Sequence, residues 1–253
     1  MIEYLNRLRV ATKPIISIVG AGGKTTLLKT LAWQLSGKVA ATASTKLNLT
    51  DAALFEEHRL AQAGADFRAM LQNMGKNLLI TNKVIELKGK SKLEGLSFAQ
   101  LNCLTDACQM EGVWLVIEAD GAKGRPLKAP ADWEPVIHPQ SGVVIYTFSL
   151  AAVGKPLTEE TVFRSQVYAE LTSSQPGPLI DFDQIQRLLV HPRGATKGIP
   201  ANSKRILLMN CPDGSAVLSQ IPQNFRVGLS DFFDRVFLGR INDGEASYQP
   251  FPD

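Results

Sequence analysis

Short, continuous apolar runs alternate along the chain with segments in which apolar residues recur at helical spacing. A short apolar run bounded by turn residues predicts a buried strand, and helical spacing predicts an amphipathic helix. Strands are predicted at residues 15–19, 38–43, 77–81, 83–89, 113–121, 142–150, 205–210, 225–230 and 234–241. Helices are predicted at residues 25–35, 51–63, 67–74, 97–110, 159–171 and 181–189.

Strands that alternate with helices predict an α/β fold built from right-handed βαβ units. We expect a mainly parallel sheet with helices on both faces. The proline-rich segment 124–139 is predicted to be a loop, because its prolines are incompatible with a helix or a central strand. A single domain over residues 1–253 is expected, with room for a small insertion around residues 75–95.

Composition narrows the class of protein. Of the 253 residues, 45% are hydrophobic and 20% are charged, and the formal net charge is +3 with basic residues spread along the chain. This spread disfavours a dedicated nucleic-acid binder, which concentrates Lys and Arg on one face. No apolar run approaches the roughly 18 residues of a membrane span, and the N-terminus does not resemble a signal peptide. We therefore predict a cytoplasmic protein with neither nucleic-acid nor membrane partners.

The segment from Pro14 to Leu35, PIISIVGAGGKTTLLKTLAWQL, joins a predicted strand to a predicted helix through glycines. The usual phosphate-loop pattern, G-x-x-x-x-G-K-[ST], would place its first glycine where this chain has Ile18. Either the match is an accident of composition, or the loop is a shorter variant. A short G-x-x-G-K-[ST]-[ST] loop after a strand resembles that of the ATP-dependent Mur-type amide ligases. The fold is accordingly predicted to be like that of the P-loop NTPases.

Such a loop binds phosphate through backbone N–H groups and the positive end of the following helix. The N–H groups from Ala21 to Thr25 would surround the β-phosphate, Lys24 would reach the β- and γ-phosphates, and Thr25 would bind Mg²⁺. The predicted cofactors are ATP or GTP together with Mg²⁺. The predicted nucleotide-binding residues in the loop are Gly20, Ala21, Gly22, Gly23, Lys24, Thr25 and Thr26.

Two acids end the apolar strand VWLVIEADG. A carboxylate at the carboxyl end of a strand beside a phosphate loop can hold Mg²⁺ or orient a water. Because Glu118 and Asp120 are two residues apart, an extended strand would point both side chains to the same side. We predict that Glu118 binds the metal with Thr25, and that Lys24, Glu118 and Asp120 form the catalytic group.

Basic and hydroxyl side chains follow two of these strands. Arg125 and Lys128, in the proline-stiffened loop, are candidates for binding an anionic substrate. Thr45 and Lys46 follow the second strand and should emerge at the edge where ligands of open α/β sheets bind. The alternatives are a solvated charged surface and an ordinary turn before a helix.

Asn210 and Asp213 follow the strand RILLMN with the spacing of the Asn-Lys-x-Asp motif by which GTPases read guanine. Cys211 stands in place of the lysine that would pack against the base. Both residues are predicted to contact the nucleotide. The alternative is a turn, since Asp and Gly fit turn chemistry.

Taken together, the segments IVGAGGKTT, ATASTK, IEADGAKGRPLKAPADWEPVI, AVGKPL, HPRGATKGIP and LLMN resemble the YqeC family, accessory proteins of selenium-dependent molybdenum hydroxylases. The resemblance spans about residues 14–240. It implies a bacterial P-loop nucleotide-binding protein that helps to mature the molybdenum cofactor. By match to the family motifs it assigns residues 20 and 22–25 to the nucleotide, 118 and 120 to an acidic site, and 125, 128 and 132 to a signature loop. The chain departs from the family at Trp133, where a histidine is expected, and in the Cys-Pro that follows Asn210.

Three functions are compatible with these residues. The first is a Mg²⁺-dependent NTPase that acts on a molybdopterin-type cofactor or on its hydroxylase protein. The second is a non-catalytic switch or chaperone that binds nucleotide and docks a hydroxylase subunit through the proline-rich loop. The third is a kinase or ligase, suggested by the Mur-like loop, which would form ADP only when an acceptor is present.

Overall fold

The computed structural model describes residues 1–11, 15–211, 217–223, 225, 227–242 and 245–251. Its α-helices are α1 (Ile2–Ala11), α2 (Lys24–Gln34), α3 (Phe67–Gln72), α4 (Phe98–Glu111), α5 (Ser165–Thr172) and α6 (Phe182–Val190). Its strands are β1 (Ile15–Gly20), β2 (Val39–Ala43), β3 (Lys46–Asn48), β4 (Glu57–Leu60), β5 (Asn77–Thr81), β6 (Lys83–Leu87), β7 (Lys90–Glu94), β8 (Trp114–Glu118), β9 (Leu127–Lys128), β10 (Ser141–Ser149), β11 (Val162–Phe163), β12 (Lys204–Cys211), β13 (Arg235–Asn242) and β14 (Glu245–Pro250).

A nine-stranded sheet forms the centre of the protein, in the order β14-β13-β12-β10-β1-β8-β2-β5-β4. Neighbouring strands are parallel, except that β14 runs antiparallel to β13. The predicted α/β architecture with a mainly parallel sheet is therefore confirmed.

The chain winds in both directions from β1. It first moves to one edge through β2, β4 and β5, returns to β8, and then crosses to the other side of β1 to form β10, β12 and β13. Ligands of open α/β sheets bind at the carboxyl ends of strands where the winding reverses. The carboxyl ends of β1 and β8 lie at this reversal point.

Helices cover both faces of the sheet, as the sequence predicts. In β1, Ile15 and Val19 belong to the core on one face, whereas Ile16 and Ile18 belong to the core on the other. The first core also contains side chains of α3, α4, α5 and α6, and the second contains side chains of α1 and α2. A strand buried on both faces is apolar throughout, which explains the continuous run IISIV.

Local capping explains why two helices fall where the sequence predicts them. The Ser97 hydroxyl accepts a hydrogen bond from the Gln100 amide, and the Gln100 side chain accepts one from the Ser97 amide. This capping box starts α4, and Gly112 ends it at φ 64°. Asp181 caps α6 in a similar way by accepting from the amide of Gln184.

A second, smaller sheet lies beside the central one. It contains three antiparallel strands in the order β3-β7-β6. The predicted strand at residues 83–89 is present as β6, but it belongs to this small sheet. The proline-rich segment 124–139 is largely loop as predicted, although β9 within it pairs with β11. Whether residues 75–95 are an insertion into a single domain stays a prediction.

The helix predicted at residues 51–63 is wrong. Residues Leu49–Leu54 form a short 3₁₀ helix, and β4 then pairs with β5 at the edge of the central sheet. The charged sequence of β4 has good helix formers, but pairing with β5 overrides this weak local preference. The helix predicted at 159–171 begins only at Ser165, because β11 precedes it.

The strand predicted at residues 225–230 is also wrong: Val227–Leu229 form a 3₁₀ turn. The edge position beyond β13 is instead occupied by β14, a strand that is not predicted from the sequence. The strands predicted at 205–210 and 234–241 are confirmed as β12 and β13. In the described part of the chain, every helix is too short or too polar to cross a membrane.

Candidate functional site

A turn of four residues, 20–23, which we call the glycine loop, connects β1 directly to α2. Gly20, Gly22 and Gly23 have φ angles of 95°, 64° and 111°, which residues with a side chain rarely adopt. A Cβ on Gly20 would lie 2.2 Å from the carbonyl oxygen of Thr147. The glycines are therefore required both by backbone conformation and by the close approach of β10.

Backbone hydrogen bonds hold the glycine loop against its neighbours. The amide of Ala21 donates to the Thr147 carbonyl at 2.7 Å, and the amide of Gly22 donates to the Arg125 carbonyl at 3.1 Å. The prediction that all amides from Ala21 to Thr25 surround a phosphate is thus wrong for the first two, because both already have partners inside the protein.

Side chains at the ends of two other strands of the sheet complete the attachment. Asp120, just after β8, accepts a hydrogen bond from the Gly20 amide at 3.0 Å. Asn210, on β12, donates from Nδ2 to the Gly22 carbonyl at 2.6 Å and to Thr147 Oγ1 at 2.9 Å. The glycine loop is therefore bound by β8, β10, β12 and the segment that contains Arg125.

The next amides point along the start of α2 and remain available. Gly23 caps this helix without a side-chain hydrogen bond, and the first intrahelical bond runs from the Leu27 amide to the Gly23 carbonyl. No partner within the described residues accepts from the amides of residues 23–26. These groups, with the helix dipole behind them, form an anion-binding arrangement.

The side chain of Lys24 folds back under the glycine loop. Its Nζ donates to the Gly20 carbonyl at 2.7 Å and lies 3.3 Å from Asp120 Oδ1. Asp120 Oδ2 is in turn 2.9 Å from Nζ of Lys128. Asp120 thus binds two ammonium groups and one amide.

This ion-pair chain continues away from the loop. Lys128, 1% exposed, donates to Glu134 at 2.8 Å, and Arg164 donates to the same Glu134 oxygen at 2.6 Å. Burial raises the pKa of Glu134, but the hydrogen bonds from Arg164 and Lys128 outweigh burial and hold the pKa below its ordinary value. We call this chain, Lys24–Asp120–Lys128–Glu134–Arg164, the buried ion network.

Glu118 has a different environment from Asp120. Its Oε2 accepts a hydrogen bond from the Thr25 hydroxyl at 3.1 Å. Burial raises the pKa of Glu118 to about 7, against the opposing effects of Lys24 and of the Thr25 hydrogen bond. The two acids do not share one environment as predicted: Glu118, the last residue of β8, contacts Thr25, whereas Asp120, beyond the regular strand, contacts the Gly20 amide and Lys128.

A cavity of about 1020 Å³ opens in front of the glycine loop. Its lining comprises residues 22–26, 44–48 and 121–125, together with Asp51, Leu87, Lys92 and Glu118. The central sheet, α2 and the small sheet all contribute to it. The cavity combines the free amides of α2 with Thr25 and Glu118.

The structure brings many of the predicted site residues to this cavity. The members found there are Gly22, Gly23, Lys24, Thr25, Thr26, Thr45, Lys46, Glu118 and Arg125. Thr45 and Lys46 emerge at the same sheet edge as the glycine loop, as expected.

Five other predicted residues do not line the cavity. Gly20 and Ala21 are outside its lining, and Asp120, Lys128 and Asn210 are buried, each with at least one hydrogen bond or ion pair inside the protein. Lys128 therefore does not reach an anion in the cavity, and the position of Asn210 fits attachment of the loop better than contact with a base. Asp213, the predicted base-reading partner of Asn210, lies outside the described residues.

The protein alone would supply only part of the coordination of a divalent metal, and a bound molecule or water would supply the rest. Among the described residues, no three His, Cys, Asp or Glu side chains come together in a way that could hold a metal. Thr25 and Glu118 supply a hydroxyl and a carboxylate in contact with each other. These oxygen donors suit Mg²⁺, which usually retains waters and takes phosphate oxygens as further ligands.

Two elements of the site are not predicted from the sequence. Lys92 reaches the cavity only because β7 pairs with β3, a long-range contact that periodicity does not reveal. The attachment of the loop by Asn210 depends on β12 lying two strands from β1. The position of Asn210 at a strand end is the one signal that points to this edge.

Comparison with known proteins agrees with the sequence resemblance. A family model described as YqeC protein matches residues 16–166, which include the glycine loop, both acids and Arg125. The uncharacterized protein YqeC of Escherichia coli (strain K12) is 31% identical over 200 residues, covering 78% of this chain and 75% of that protein. No solved structure matches the chain. The chain belongs to the YqeC family.

Proposed function

We propose that this protein is a P-loop nucleotide-binding protein, a Mg²⁺-dependent NTPase that uses ATP or GTP. One observation carries the proposal: the unpartnered amides at the start of α2 open onto a large cavity that also contains Lys24 and the Thr25–Glu118 pair. The fold proposed is that of a P-loop NTPase, since β1, the glycine loop and α2 follow each other in the required order.

Each group has a defined part in this proposal. The amides of residues 23–26 and the ammonium of Lys24 bind the phosphates. Thr25 and Glu118 would hold Mg²⁺, which when bound would supply positive charge to offset the charge of the phosphates. Lys24 exchanges its contact with Asp120 for the phosphate, and Asp120 keeps its bonds to Lys128 and to the Gly20 amide.

The Lys24→Ala variant tests nucleotide binding. We expect affinity for Mg·ATP and Mg·GTP, measured by calorimetry, to fall by at least about 100-fold, because a charge-assisted contact to phosphate is lost. Lys29→Ala, on the same helix but outside the cavity lining, is the matched control and should bind as the unmodified protein does. Full binding by Lys24→Ala would overturn the proposal.

We further propose that the protein acts in the maturation of molybdenum hydroxylases, as the family resemblance implies. A molybdopterin-type cofactor or a hydroxylase protein would then be its partner. Hydroxylase activity in cells that carry only the Lys24→Ala variant should match that of cells lacking the protein. Normal hydroxylase activity in those cells would show that hydroxylase maturation does not require nucleotide binding by this protein.

A non-catalytic switch is the second candidate, and the surroundings of Asp120 favour it. Because Asp120 is engaged by two lysines and an amide, Glu118 is the one carboxylate of the predicted catalytic group that faces the cavity. Steady-state phosphate release decides between the candidates. A rate equal to the protein-free blank, despite tight nucleotide binding, would favour the switch over the NTPase.

A further inference from the structure

We propose that the part of the cavity facing the small sheet is a binding subsite for a second, phosphate-bearing small molecule. We call it the lysine subsite, and define it by Lys46 on β3, Lys92 on β7, and the hydroxyls of Ser44 and Thr45. The idea rests on the proposed function, because the nucleotide would occupy the neighbouring amides of α2. It supplies that function with an anionic co-substrate.

The position of the lysine subsite is fixed by packing between the two sheets. A Cβ on Gly95 would lie 2.3 Å from the Ala43 carbonyl oxygen, so the end of β7 and the end of β2 touch through their backbones. The Leu96 amide also donates to the Ala43 carbonyl at 2.9 Å. Leu47 and Leu93 are buried in the core beneath. Lys46 and Lys92 are therefore held at the carboxyl edge of the central sheet.

The charge of the cavity is strongly unbalanced. Five cationic side chains line it, against two acidic ones, Asp51 and Glu118. The cations are Lys24, Lys46, Lys92, Lys123 and Arg125. Apart from Lys24, none of these cations forms an ion pair within the described part of the chain. A cavity whose cations are not neutralised by ion pairs concentrates anionic ligands.

Neutral donors lie beside these cations. The hydroxyl oxygens of Ser44 and Thr45 are buried and have no hydrogen-bond partner among the residues that the structure describes. Buried hydroxyls normally have partners, so an unsatisfied pair in a cavity wall indicates a ligand that accepts hydrogen bonds. Ammonium groups and hydroxyls together match the oxygens of a phosphate group.

The cavity also has room for two ligands. Its volume of about 1020 Å³ slightly exceeds the roughly 300–1,000 Å³ usual for small-molecule sites. The amides of α2 occupy one side of it, and Lys46 and Lys92 occupy another. A phosphate-bearing molecule in the lysine subsite would therefore lie beside the nucleotide phosphates and need not displace them.

Inorganic phosphate is the probe for the test. Full-length protein saturated with Mg²⁺ and the non-hydrolysable analogue AMPPNP is titrated with phosphate in a calorimeter. The Lys46→Gln/Lys92→Gln double variant should lose at least about tenfold in phosphate affinity while its AMPPNP affinity changes by less than about twofold. Lys83→Gln/Lys90→Gln removes the same charge from the small sheet outside the cavity and should bind phosphate normally.

The other outcomes overturn the proposal. The first is an absence of phosphate binding by the unmodified protein. The second is an equal loss of phosphate affinity in the Lys83/Lys90 control. The third is a parallel loss of AMPPNP affinity in the Lys46/Lys92 double variant, which would assign these lysines to the nucleotide. If the unmodified protein binds no nucleotide, the proposed function fails instead. Phosphate titration of nucleotide-free Lys24→Ala then tests the lysine subsite separately, with the same pair of double variants on that background.

Discussion

Lysines lie both below and in front of the glycine loop, and their surroundings in these two regions are opposite. Lys128, below the loop, is fully buried between Asp120 and Glu134. Lys46, in front of it, is exposed and forms no ion pair among the described residues. A buried charge is tolerated only with partners, whereas an exposed one needs none. The lower region therefore supports the loop, and the front region is the one open to ligands.

The two acids that end β8 show the same division. Asp120 belongs to the lower region and is neutralised by Lys24 and Lys128. Glu118 belongs to the front region, where burial raises its pKa. Carboxyl groups two residues apart in the sequence thus have separate tasks, one in structure and one at the cavity. Three comparisons between variants test the two regions.

The largest effect is expected in the buried ion network. Lys128→Met leaves Asp120 and Glu134 buried with one cation fewer, which should lower the free energy of unfolding by about 3–5 kcal/mol. Lys46→Met, in the front region, should change it by no more than about 0.5 kcal/mol. Urea unfolding of both variants measures the difference. Equal, small losses would show that the lower region does not depend on its charges.

An intermediate effect is expected from Glu118 and depends on pH. Because the pKa of Glu118 rises from 4.5 to about 7 on folding, its contribution to stability is fully present below pH 4.5 and is lost as pH rises through 7. The free energy of unfolding of the unmodified protein should therefore fall by up to about 3 kcal/mol between pH 4.5 and 8, relative to that of Glu118→Gln.

The measurement is the free energy of unfolding of both proteins at several pH values. Glu111→Gln is the control, since hydrogen bonding to Arg68 lowers the pKa of Glu111 and the sign of its pH effect is opposite. A constant difference between the unmodified protein and Glu118→Gln across this pH range would contradict the raised pKa.

The smallest effect compares two glycines with similar backbone conformations, Gly22 at φ 64° and Gly124 at φ 73°. A Cβ on Gly22 would lie 2.5 Å from the Ser149 amide nitrogen, whereas no atom of the described residues lies within 4 Å of a Cβ on Gly124. Both alanine variants are destabilised by a positive φ. The free energy of unfolding of Gly22→Ala should fall by about 1–3 kcal/mol more than that of Gly124→Ala, because its Cβ overpacks the site. Thermal unfolding of the two variants side by side measures this difference.

The central sheet was predictable because its strands are short apolar runs, and strands buried on both faces must be apolar. The strand β4 was not predictable, because its sequence Glu57–Leu60 is mostly polar and only pairing with β5 makes it a strand. β14 is likewise defined by its neighbour β13, and not by an apolar run of its own.

The site divides in a similar way. The order of strand, glycines, lysine and helix is local, so the glycine loop could be located from the sequence. The distinction between Lys128 and Lys46 could not, because it depends on which distant acids and strands surround each ammonium group. The place of Asn210 under the loop, at the Gly22 carbonyl, is equally a consequence of strand order.

The bonds that attach the glycine loop have a kinetic consequence. Fixing the backbone of a residue costs about 1–2 kcal/mol of conformational entropy, and here Asp120, Thr147, Arg125 and Asn210 fix the loop as the chain folds. In the proposed function, the phosphate of the nucleotide would therefore meet a loop that is already ordered. Its association rate should be limited by diffusion and by the release of Lys24 from Asp120, with no slow step for ordering of the loop.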